Sequence, residues 1–334
     1  MTSELHLVLD RWGLEPAGTI ERTESGTMND TYVVTTARRR VVLRRHRRTD
    51  RRQIEWEHEV VAHVRAGGVP VPAAISTPDG EFVVGHGGRW FSLFTYADGE
   101  QVERTCLRPG HARAMGTTLA HIHHALADVP HPPPAKNQPA PTPEESLRRM
   151  EDLVALIERR DREHTFDQCD AWMVDRLRSR MTWLASEGAQ LTLPEAPAGA
   201  ARLTHGDYQE TNVFFAGAGA GASSEVRVAA VIDWDKAEVR WPAEEILRAL
   251  DYSLLLAPEL CSAFVDGYRS VSPLAIDDLD LAADIRTFDA AHSTWLPEEI
   301  YLHGNDRVRQ FVRPGPFVPF NRRWHELRRV LATS

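Results

Sequence analysis

The segment that most constrains the fold is HGDYQETN, residues 205–212, which runs directly into the apolar residues of VFF. A second β-branched run, VRVAAVI at 226–232, follows after the small-residue segment AGAGAGASSE. Two such runs joined by a flexible connector predict a β-hairpin. Because a hairpin folds back on itself, we expect the polar loop before its first strand to lie beside Asp233, which directly follows its second strand.

The polar loop carries a carboxylate, Asp207, and a carboxamide, Asn212, five positions apart. Phosphoryl transfer needs a base near the acceptor hydroxyl and oxygen ligands for magnesium, and protein kinases place both at the ends of the spacing D-x-x-x-x-N. We therefore expect Asp207 to face an acceptor hydroxyl and Asn212 to face a metal, with His205 bracing the loop from behind. Taken alone, the segment is equally compatible with an Asx-rich turn of purely structural role.

Asp233 is the second predicted metal ligand. A carboxylate at the end of a buried strand suits Mg2+, which prefers one or two carboxylates together with phosphate oxygens and water. Asp235 adds negative charge two positions later, either behind the first ligand or at a second metal.

The composition indicates an ordinary globular chain with a cytoplasmic location. The three cysteines, Cys106, Cys169 and Cys261, stand far apart, so we expect neither a disulfide framework nor a zinc site. The first residues include acids and no basic region, and no apolar run approaches about 18 residues. We therefore expect no signal peptide, no membrane span and no membrane partner.

Charge is distributed unevenly along the chain. Residues 38–52 hold nine Arg and one Asp, a local net charge of +8 within a protein whose net charge is -9, so the remainder sums to -17. Such a cluster is compatible with nucleic-acid binding, but a solvated face or an anion-binding lobe fits an acidic protein better. The acidic remainder favours a cationic small molecule as partner rather than a nucleic acid.

Hydrophobic periodicity predicts a β-rich part followed by a mainly helical part. A turn at ADGE, near residue 97, marks the expected boundary between them, and the proline-rich segment 131–143 reads as a loop. The predicted elements before the boundary are a helix near 3–13, strands within 17–45, a helix over 53–66, and strands at EFVVGH and RWFSLFTY. The predicted helices after it include RAMGTTLAHIHHAL and EESLRRMEDLVALIERRDR.

Glu57 lies on the apolar face of the helix predicted over 53–66, three positions after Ile54 and four before Val61. An unpaired carboxylate in such a place is costly, so Glu57 needs a cationic partner.

These motifs, in this order, resemble the aminoglycoside phosphotransferase and choline kinase-like family. The resemblance covers most of residues 20–250 and is carried by the segments SGTMNDTYVV, VVLRR, EHEVVAHVRAGGVPVP, WFSLFTYADGE, MGTTLAHIHHAL, HGDYQETNVFF and VIDWDKA. It implies an α+β, bilobal, protein-kinase-like fold, with a small β-rich N-lobe over residues 1–97 and a larger, mainly helical C-lobe over residues 98–334.

The resemblance also implies a role for each matching residue. Asp207 would be the catalytic base, assisted by His205, and Asn212 and Asp233 would bind Mg2+. Arg44, steadied by Glu57, would contact the phosphates of ATP or GTP. The remaining predicted nucleotide contacts lie in the N-terminal loop and the hinge: Ser25, Gly26, Thr27, Asn29, Phe94 and Tyr96.

Two positions depart from the usual pattern of the family. Members commonly have lysine where this chain has Arg44, although arginine also pairs with phosphate and carboxylate. Strand alternation places Val42 and Arg44 on one face and Arg45 on the other, and Arg45 is the alternative inward residue. The second departure is Glu245, at a place where related sequences usually have an aspartate. His123, in the helix before the proline-rich segment, is expected to pack rather than bind metal.

The sequence therefore predicts a magnesium-dependent kinase that transfers the γ-phosphoryl group of ATP or GTP to a hydroxyl of a soluble acceptor. An aminoglycoside-type or other amino-bearing antibiotic is the first candidate acceptor, which would make the enzyme a resistance factor. A metabolic alcohol kinase of choline, homoserine or sugar type is the alternative, and a nucleotide-binding pseudokinase or a nucleic-acid binder are further ones.

Overall fold

The computed structural model describes residues 2–23, 29–129, 139–162, 164–217 and 226–332. Predictions for Ser25, Gly26 and Thr27 therefore lie outside the described residues, as do those for most of the proline-rich segment and of the small-residue connector.

Along the chain, a β-rich part is followed by a mainly helical part. Two short pairs of strands lie in sequence between α5 and α6. The strands are β1 Pro16–Arg22, β2 Asp30–Thr36, β3 Arg40–His46, β4 Ala74–Ile75, β5 Val83–His86, β6 Arg89–Thr95, β7 Arg202–Thr204, β8 Val213–Ala216, β9 Arg227–Val231 and β10 Glu238–Arg240. The helices are α1 Thr2–Asp10, α2 Arg51–Ala66, α3 Pro109–Leu126, α4 Pro143–Arg162, α5 Gln168–Ala185, α6 Pro242–Tyr252, α7 Pro258–Arg269, α8 Ile276–His292, α9 Trp295–Tyr301 and α10 Phe320–Leu331. Short 3-10 helices span Arg104–Cys106, Glu210–Asn212 and Asp306–Phe311.

The N-terminal strands form one antiparallel sheet in the order β1-β2-β3-β6-β4, with β5 also paired to β6. Alternate residues of its strands face α1, which covers the sheet and closes a small core. The buried members of this core are Leu5, Val8, Leu9, Trp12, Tyr32, Val34, Val41, Leu43, Val84, Phe91 and Leu93. Val41 and Leu43 point into this core. Arg44, the residue after Leu43 on β3, therefore points to the opposite face.

Helix α2 begins where the sequence supplies a cap. The Asp50 side chain accepts a hydrogen bond from the backbone N–H of Arg52, which satisfies one of the free donors of the first turn. The helix ends at Gly67, and Gly68 follows with a φ of +87°. The face of α2 that is buried contains the apolar residues expected from the sequence and also Glu57.

The hairpin predicted after the polar loop is present. Strands β8 and β9 pair antiparallel, and β7 pairs with β10 beside them. The backbone N–H of Ile232 donates to the carbonyl of Asn212 at 2.9 Å, so the ends of the two loops lie side by side. Glu100 forms a bridge with Phe215, and Gly99 adopts a φ of +112° where an added Cβ would meet the Phe215 carbonyl. The segment after β6 is thereby joined to the hairpin.

Helices α3 and α7 pack against each other at glycines. An added Cβ at Gly116 would collide with the carbonyl of Phe264, and one at Gly267 would collide with the carbonyl of Arg113. The two glycines therefore allow close approach of the helices, which positions His123 on α3.

Residue contacts divide the chain into two compact units, Met1–Pro132 with Ala200–Leu274, and Pro133–Gly199 with Ala275–Ser334. The predicted boundary near residue 97 concerns lobes rather than these units, and it stays a prediction. The second unit has its own core, formed by buried apolar residues of α4, α5, α8 and α9 and of the segment before α10. In the part of the chain that the structure describes, no helix is both long and apolar enough to cross a membrane.

Candidate active site

The polar loop predicted to carry the base lies between β7 and β8, and buried hydrogen bonds define its shape. The ring of His205 is fully buried, with Nε2 3.0 Å from the carbonyl of Ile232 and Nδ1 accepting the backbone N–H of Asp207 at 3.2 Å. A carbonyl only accepts, so this pattern places the ring proton on Nε2. The histidine ties the start of the loop to the end of β9, and its role in catalysis stays a prediction.

Glu245 at the start of α6 holds the same loop from the other side. Its carboxylate accepts the backbone N–H of Gly206 at 2.6 Å, the backbone N–H of His205 at 3.3 Å, and Nε2 of His123 at 2.9 Å. Burial would raise the pKa of Glu245, but the hydrogen bond from His123 and the other donors hold it below its ordinary value. His123 also meets the Tyr268 hydroxyl at 2.9 Å, so it belongs to a buried hydrogen-bond network.

Asp207 is almost completely buried and carries two cationic partners. Lys236 Nζ lies 2.9 Å from its Oδ2, and an Nη of Arg248 contacts its Oδ1. Burial would raise the pKa of Asp207, but the positive charges of Arg248 and Lys236 lower it overall. The carboxylate is therefore ionised over the ordinary pH range, as a group that accepts a proton must be.

The two predicted metal ligands lie at the adjoining ends of β8 and β9. The Asn212 amide nitrogen donates to the carbonyl of Asp207 at 2.9 Å, which leaves its side-chain oxygen as the acceptor atom. Asp233 follows Ile232 with a φ of +67°, a left-handed conformation that is uncommon outside glycine.

These groups fit a magnesium site with few protein ligands. Within the described ranges, no cluster of three or more His, Cys, Asp or Glu side chains is arranged for a metal. One amide oxygen and one or two carboxylates suit Mg2+, because this ion keeps several waters and takes the rest of its shell from nucleotide phosphates.

Arg44 connects the N-terminal sheet to these loops. One Nη of its guanidinium lies 2.8 Å from Glu57 Oε1 on α2, the other contacts Asp233, and Asp235 lies 3.9 Å away. The expected contact between Glu57 and Arg44 is thus present, and the arginine spans 189 positions along the chain to reach Asp233.

Arg45, the alternative inward residue, faces the other side of β3. It pairs with Asp30 on β2 at 2.7 Å and lies 4.0 Å from Glu4 on α1. Strand alternation therefore gives the two neighbouring arginines separate partners.

Three carboxylates, those of Glu57, Asp233 and Asp235, lie around the single guanidinium of Arg44. Burial raises the pKa of Glu57 to about 7, although the charge of Arg44 acts in the opposite direction. Burial also raises the pKa of Asp235, and the nearby Asp233 adds to this effect. Asp235 Oδ2 accepts a hydrogen bond from the Asn29 amide at 3.1 Å, while its Oδ1 is buried with no hydrogen-bond partner among the described residues.

Three further residues predicted to contact the nucleotide, Asn29, Phe94 and Tyr96, lie among the described residues. Asn29 contacts the loop after β9 through Asp235 and accepts the backbone N–H of Arg47 at 3.1 Å. Phe94 lies on β6 with its ring centroid 5.3 Å from that of His58, and Tyr96 follows β6 with the Arg40 guanidinium 3.8 Å from its ring centroid. Their contacts with a nucleotide stay predictions.

Sequence reasoning missed the two cations on Asp207. Lys236 lies within the segment VIDWDKA, but neither it nor Arg248 was assigned a role, because they are 29 and 41 positions from Asp207 and no spacing links them to it. One signal was available, since Arg248 lies one helical turn after Glu245 and so on the same side of α6.

Comparison with known proteins shows which family the sequence resembles. The sequence model described as "Phosphotransferase enzyme family" matches residues 19–283. A homoserine kinase of Burkholderia cenocepacia (strain HI2424) is 26% identical over 266 residues, which cover 76% of this chain and 72% of the relative.

Solved structures share the fold at low sequence identity. An aminoglycoside phosphotransferase from Alicyclobacillus acidocaldarius superposes with a TM-score of 0.60 at 16% identity, covering 97% of this chain and 93% of the other. A spectinomycin phosphotransferase in complex with ADP and spectinomycin superposes with a TM-score of 0.58 at 14% identity, covering 99% and 93%. The α+β, protein-kinase-like fold predicted from the sequence is confirmed by these neighbours.

Proposed function

Because the chain belongs to the phosphotransferase enzyme family, we propose that it transfers the γ-phosphoryl group of ATP or GTP to a hydroxyl of a soluble small molecule, with Mg2+ bound to Asn212 and Asp233. The cytoplasm is the compartment that this proposal assumes, since it supplies the nucleotide and suits an exposed free thiol such as Cys106.

One observation carries the proposal. The guanidinium of Arg44 contacts Glu57 on α2 and Asp233 after β9 at the same time, so the sheet, the helix and the predicted metal loop meet at one cation. A structural Asx turn would need no such convergence. A nucleotide phosphate between the sheet and this loop would meet Arg44, whose planar group can bind phosphate and carboxylate together.

Asp207 acts as the base in this proposal. As the acceptor oxygen forms its bond to the γ-phosphorus, the hydroxyl proton passes to the Asp207 carboxylate, and the bond between the γ-phosphorus and the bridging oxygen of the nucleoside diphosphate breaks. His205 and Glu245 hold the loop backbone, so that the carboxylate is positioned before the reaction begins.

Asn212 and Asp233 would hold the metal, and Arg44 and Glu57 would position the phosphates. Magnesium held by these residues would neutralise negative charge that develops on the phosphates. Removal of one such ligand is expected to slow turnover by about 10²- to 10⁴-fold.

Two classes of acceptor remain under this proposal. An aminoglycoside-type or other amino-bearing antibiotic is the candidate from the sequence, and neighbours of the same fold act on such compounds. A metabolic hydroxyl compound is favoured by a different observation, the matched sequence relative that is a homoserine kinase.

A nucleotide-consumption screen tests the proposal. The purified protein would be incubated with ATP or GTP, with and without Mg2+, against a panel of aminoglycosides, spectinomycin, choline, homoserine and sugars. We expect magnesium-dependent consumption with at least one acceptor, reduced at least about a thousandfold by Asp207→Asn. The matched control is Asp266→Asn, which removes a surface carboxylate paired with Arg113. Equal turnover by Asp207→Asn and wild type would exclude this mechanism.

A further inference from the structure

Two cationic side chains contact the carboxylate of the proposed base. Lys236 and Arg248 both have Asp207 as their carboxylate partner among the described residues, so two cations face one anion. The amide nitrogen of Gln209 also approaches Asp207 Oδ2 at 3.4 Å. The carboxylate therefore has donors on both oxygens, and one of its two cationic neighbours is not neutralised by it.

Arg248 has hydrogen-bonding capacity that the protein does not use. Its guanidinium lies 4.6 Å from the ring centroid of Tyr252, and the side chain is 26% exposed. One Nη contacts Asp207, while Nε is buried with no hydrogen-bond partner in the described part of the chain. The buried Nε is not reached from solvent, so a second anion would be bound at the exposed part of the guanidinium, whose planar group can contact two carboxylates.

The position of Arg248 is coupled to that of the base. Glu245 holds the backbone of His205 and Gly206 from the start of α6, and Arg248 follows one helical turn later. Helix α6 therefore sets the Asp207 loop and the arginine in one arrangement. Lys236 is on the other side of the carboxylate and is half exposed.

An acceptor whose hydroxyl reaches Asp207 must come close to these cations. A cationic acceptor meets like charge there, whereas a carboxylate near the hydroxyl is attracted and can take up the free donors of Arg248. We propose that the acceptor is a hydroxy-carboxylate, whose carboxylate is bound by Arg248 and Lys236. This inference rests on the proposed kinase function and names the class of its acceptor, against the cationic class expected from overall charge.

Matched pairs of acceptors test the inference. Each pair has a hydroxy-carboxylate and the carboxamide that lacks its negative charge, for example 4-hydroxybutyrate and 4-hydroxybutyramide, or homoserine and homoserinamide, both of which keep the α-ammonium group. Kanamycin and choline serve as the cationic probes. Phosphoryl transfer and binding by thermal shift with the magnesium nucleotide would both be measured. We expect the carboxylate member to be preferred by about tenfold or more, which corresponds to one charge-assisted hydrogen bond.

Two variants separate acceptor recognition from other roles. Arg248→Gln should raise KM for the carboxylate by about 10- to 100-fold and leave that for the carboxamide nearly unchanged. Arg248→Lys keeps the charge without the planar group and should fall between. The control, Arg113→Gln, removes one positive charge from a surface pair and should alter neither. Thermal unfolding of each variant checks that it is folded.

The possible results are distinguishable. Turnover or binding of kanamycin or choline in preference to every carboxylate would overturn the inference while supporting the proposed kinase function. The inference would also be overturned if no pair showed a preference for its carboxylate member. Equal loss of kcat on both members of a pair in Arg248→Gln would overturn the inference and assign the arginine to positioning Asp207, which it contacts. Failure of nucleotide binding in the wild type would count against the proposed function itself.

Discussion

The Glu245 carboxylate accepts the backbone N–H of Gly206 at 2.6 Å, which fastens the first turn of α6 to the loop that carries the proposed base. The family usually has an aspartate near this place, and the longer side chain here reaches both Gly206 and His205. The loop is thus held by a charged group that is itself completely buried, and its position depends on that group.

Glu245→Gln is expected to destabilise the protein by about 1–3 kcal/mol, because one acceptor oxygen is replaced by a donor and a buried N–H loses its partner. The rate of phosphoryl transfer should fall at least about tenfold as the loop shifts. Urea unfolding and steady-state rates measure the two effects. Glu244→Gln, at a neighbouring and more exposed position, is the control and should stay within about 0.5 kcal/mol of the wild type. Equal behaviour of the two variants would contradict the role given to Glu245.

Gly206→Ala should destabilise by more than about 2 kcal/mol. The glycine has a φ of +80°, and an added Cβ would collide with the carbonyl of Lys236. Gly13→Ala is the matched control, since Gly13 has a φ of +63° and nothing within 4 Å of an added Cβ. It should show only the backbone cost of about 1–2 kcal/mol. Denaturant unfolding compares them, and a smaller effect at Gly206 than at Gly13 would refute the close-contact explanation.

Arg44→Lys should weaken binding of the nucleotide by about tenfold or more, because a single ammonium cannot contact Glu57 and Asp233 with the geometry of a guanidinium. Arg45→Lys, one position later on the other face of β3, should change affinity less than about twofold. Calorimetric titration with the magnesium nucleotide gives both values. If lysine at position 44 bound nucleotide as tightly as arginine does, the bridging contact would have no part in recognition.

The stability of the nucleotide-free protein should depend on pH through Glu57. Its folded pKa of about 7 lies above its ordinary value of 4.5, so between these values the folded state holds a proton that the unfolded chain has lost. Protonated Glu57 therefore adds about 3 kcal/mol to the free energy of unfolding below about pH 4.5. This stabilisation is lost as pH rises from about 4.5 through about 7. The charge of Arg44 opposes the shift, but the near-complete burial of Glu57 outweighs it.

Glu57→Gln removes this titration, so the difference in unfolding free energy between wild type and variant should change from about pH 4.5 to about pH 7 and level off above that. Urea unfolding without nucleotide or divalent ions measures it. Glu55→Gln, on the exposed side of the same helix, should give a constant difference. Parallel curves for wild type and Glu57→Gln would show that Glu57 is ionised throughout.

Much of the fold was accessible from local patterns. The period-two alternation of β3 placed Arg44 and Arg45 on opposite faces, and the helical period of α2 placed Glu57 on the buried side. The two β-branched runs gave the β8–β9 hairpin. These predictions depend only on the geometry of single elements, which a short sequence determines.

The contacts of the proposed base were not accessible in this way. Lys236 and Arg248 reach Asp207 only because the hairpin returns the chain and α6 then packs behind the loop. The sequence spacing of neither residue indicates that its partner is Asp207. The expectation of a cationic acceptor therefore rested on overall charge alone.

The sequence by itself determined the elements, the D-x-x-x-x-N loop and the side of each element on which a chemical group lies, because these follow from backbone geometry over a few residues. The tertiary structure decided which charges meet: Arg44 with Asp233, and Asp207 with two cations. Such pairings join residues up to 189 positions apart. They depend on how whole elements pack to bury apolar surface, and that packing is a property of the complete chain.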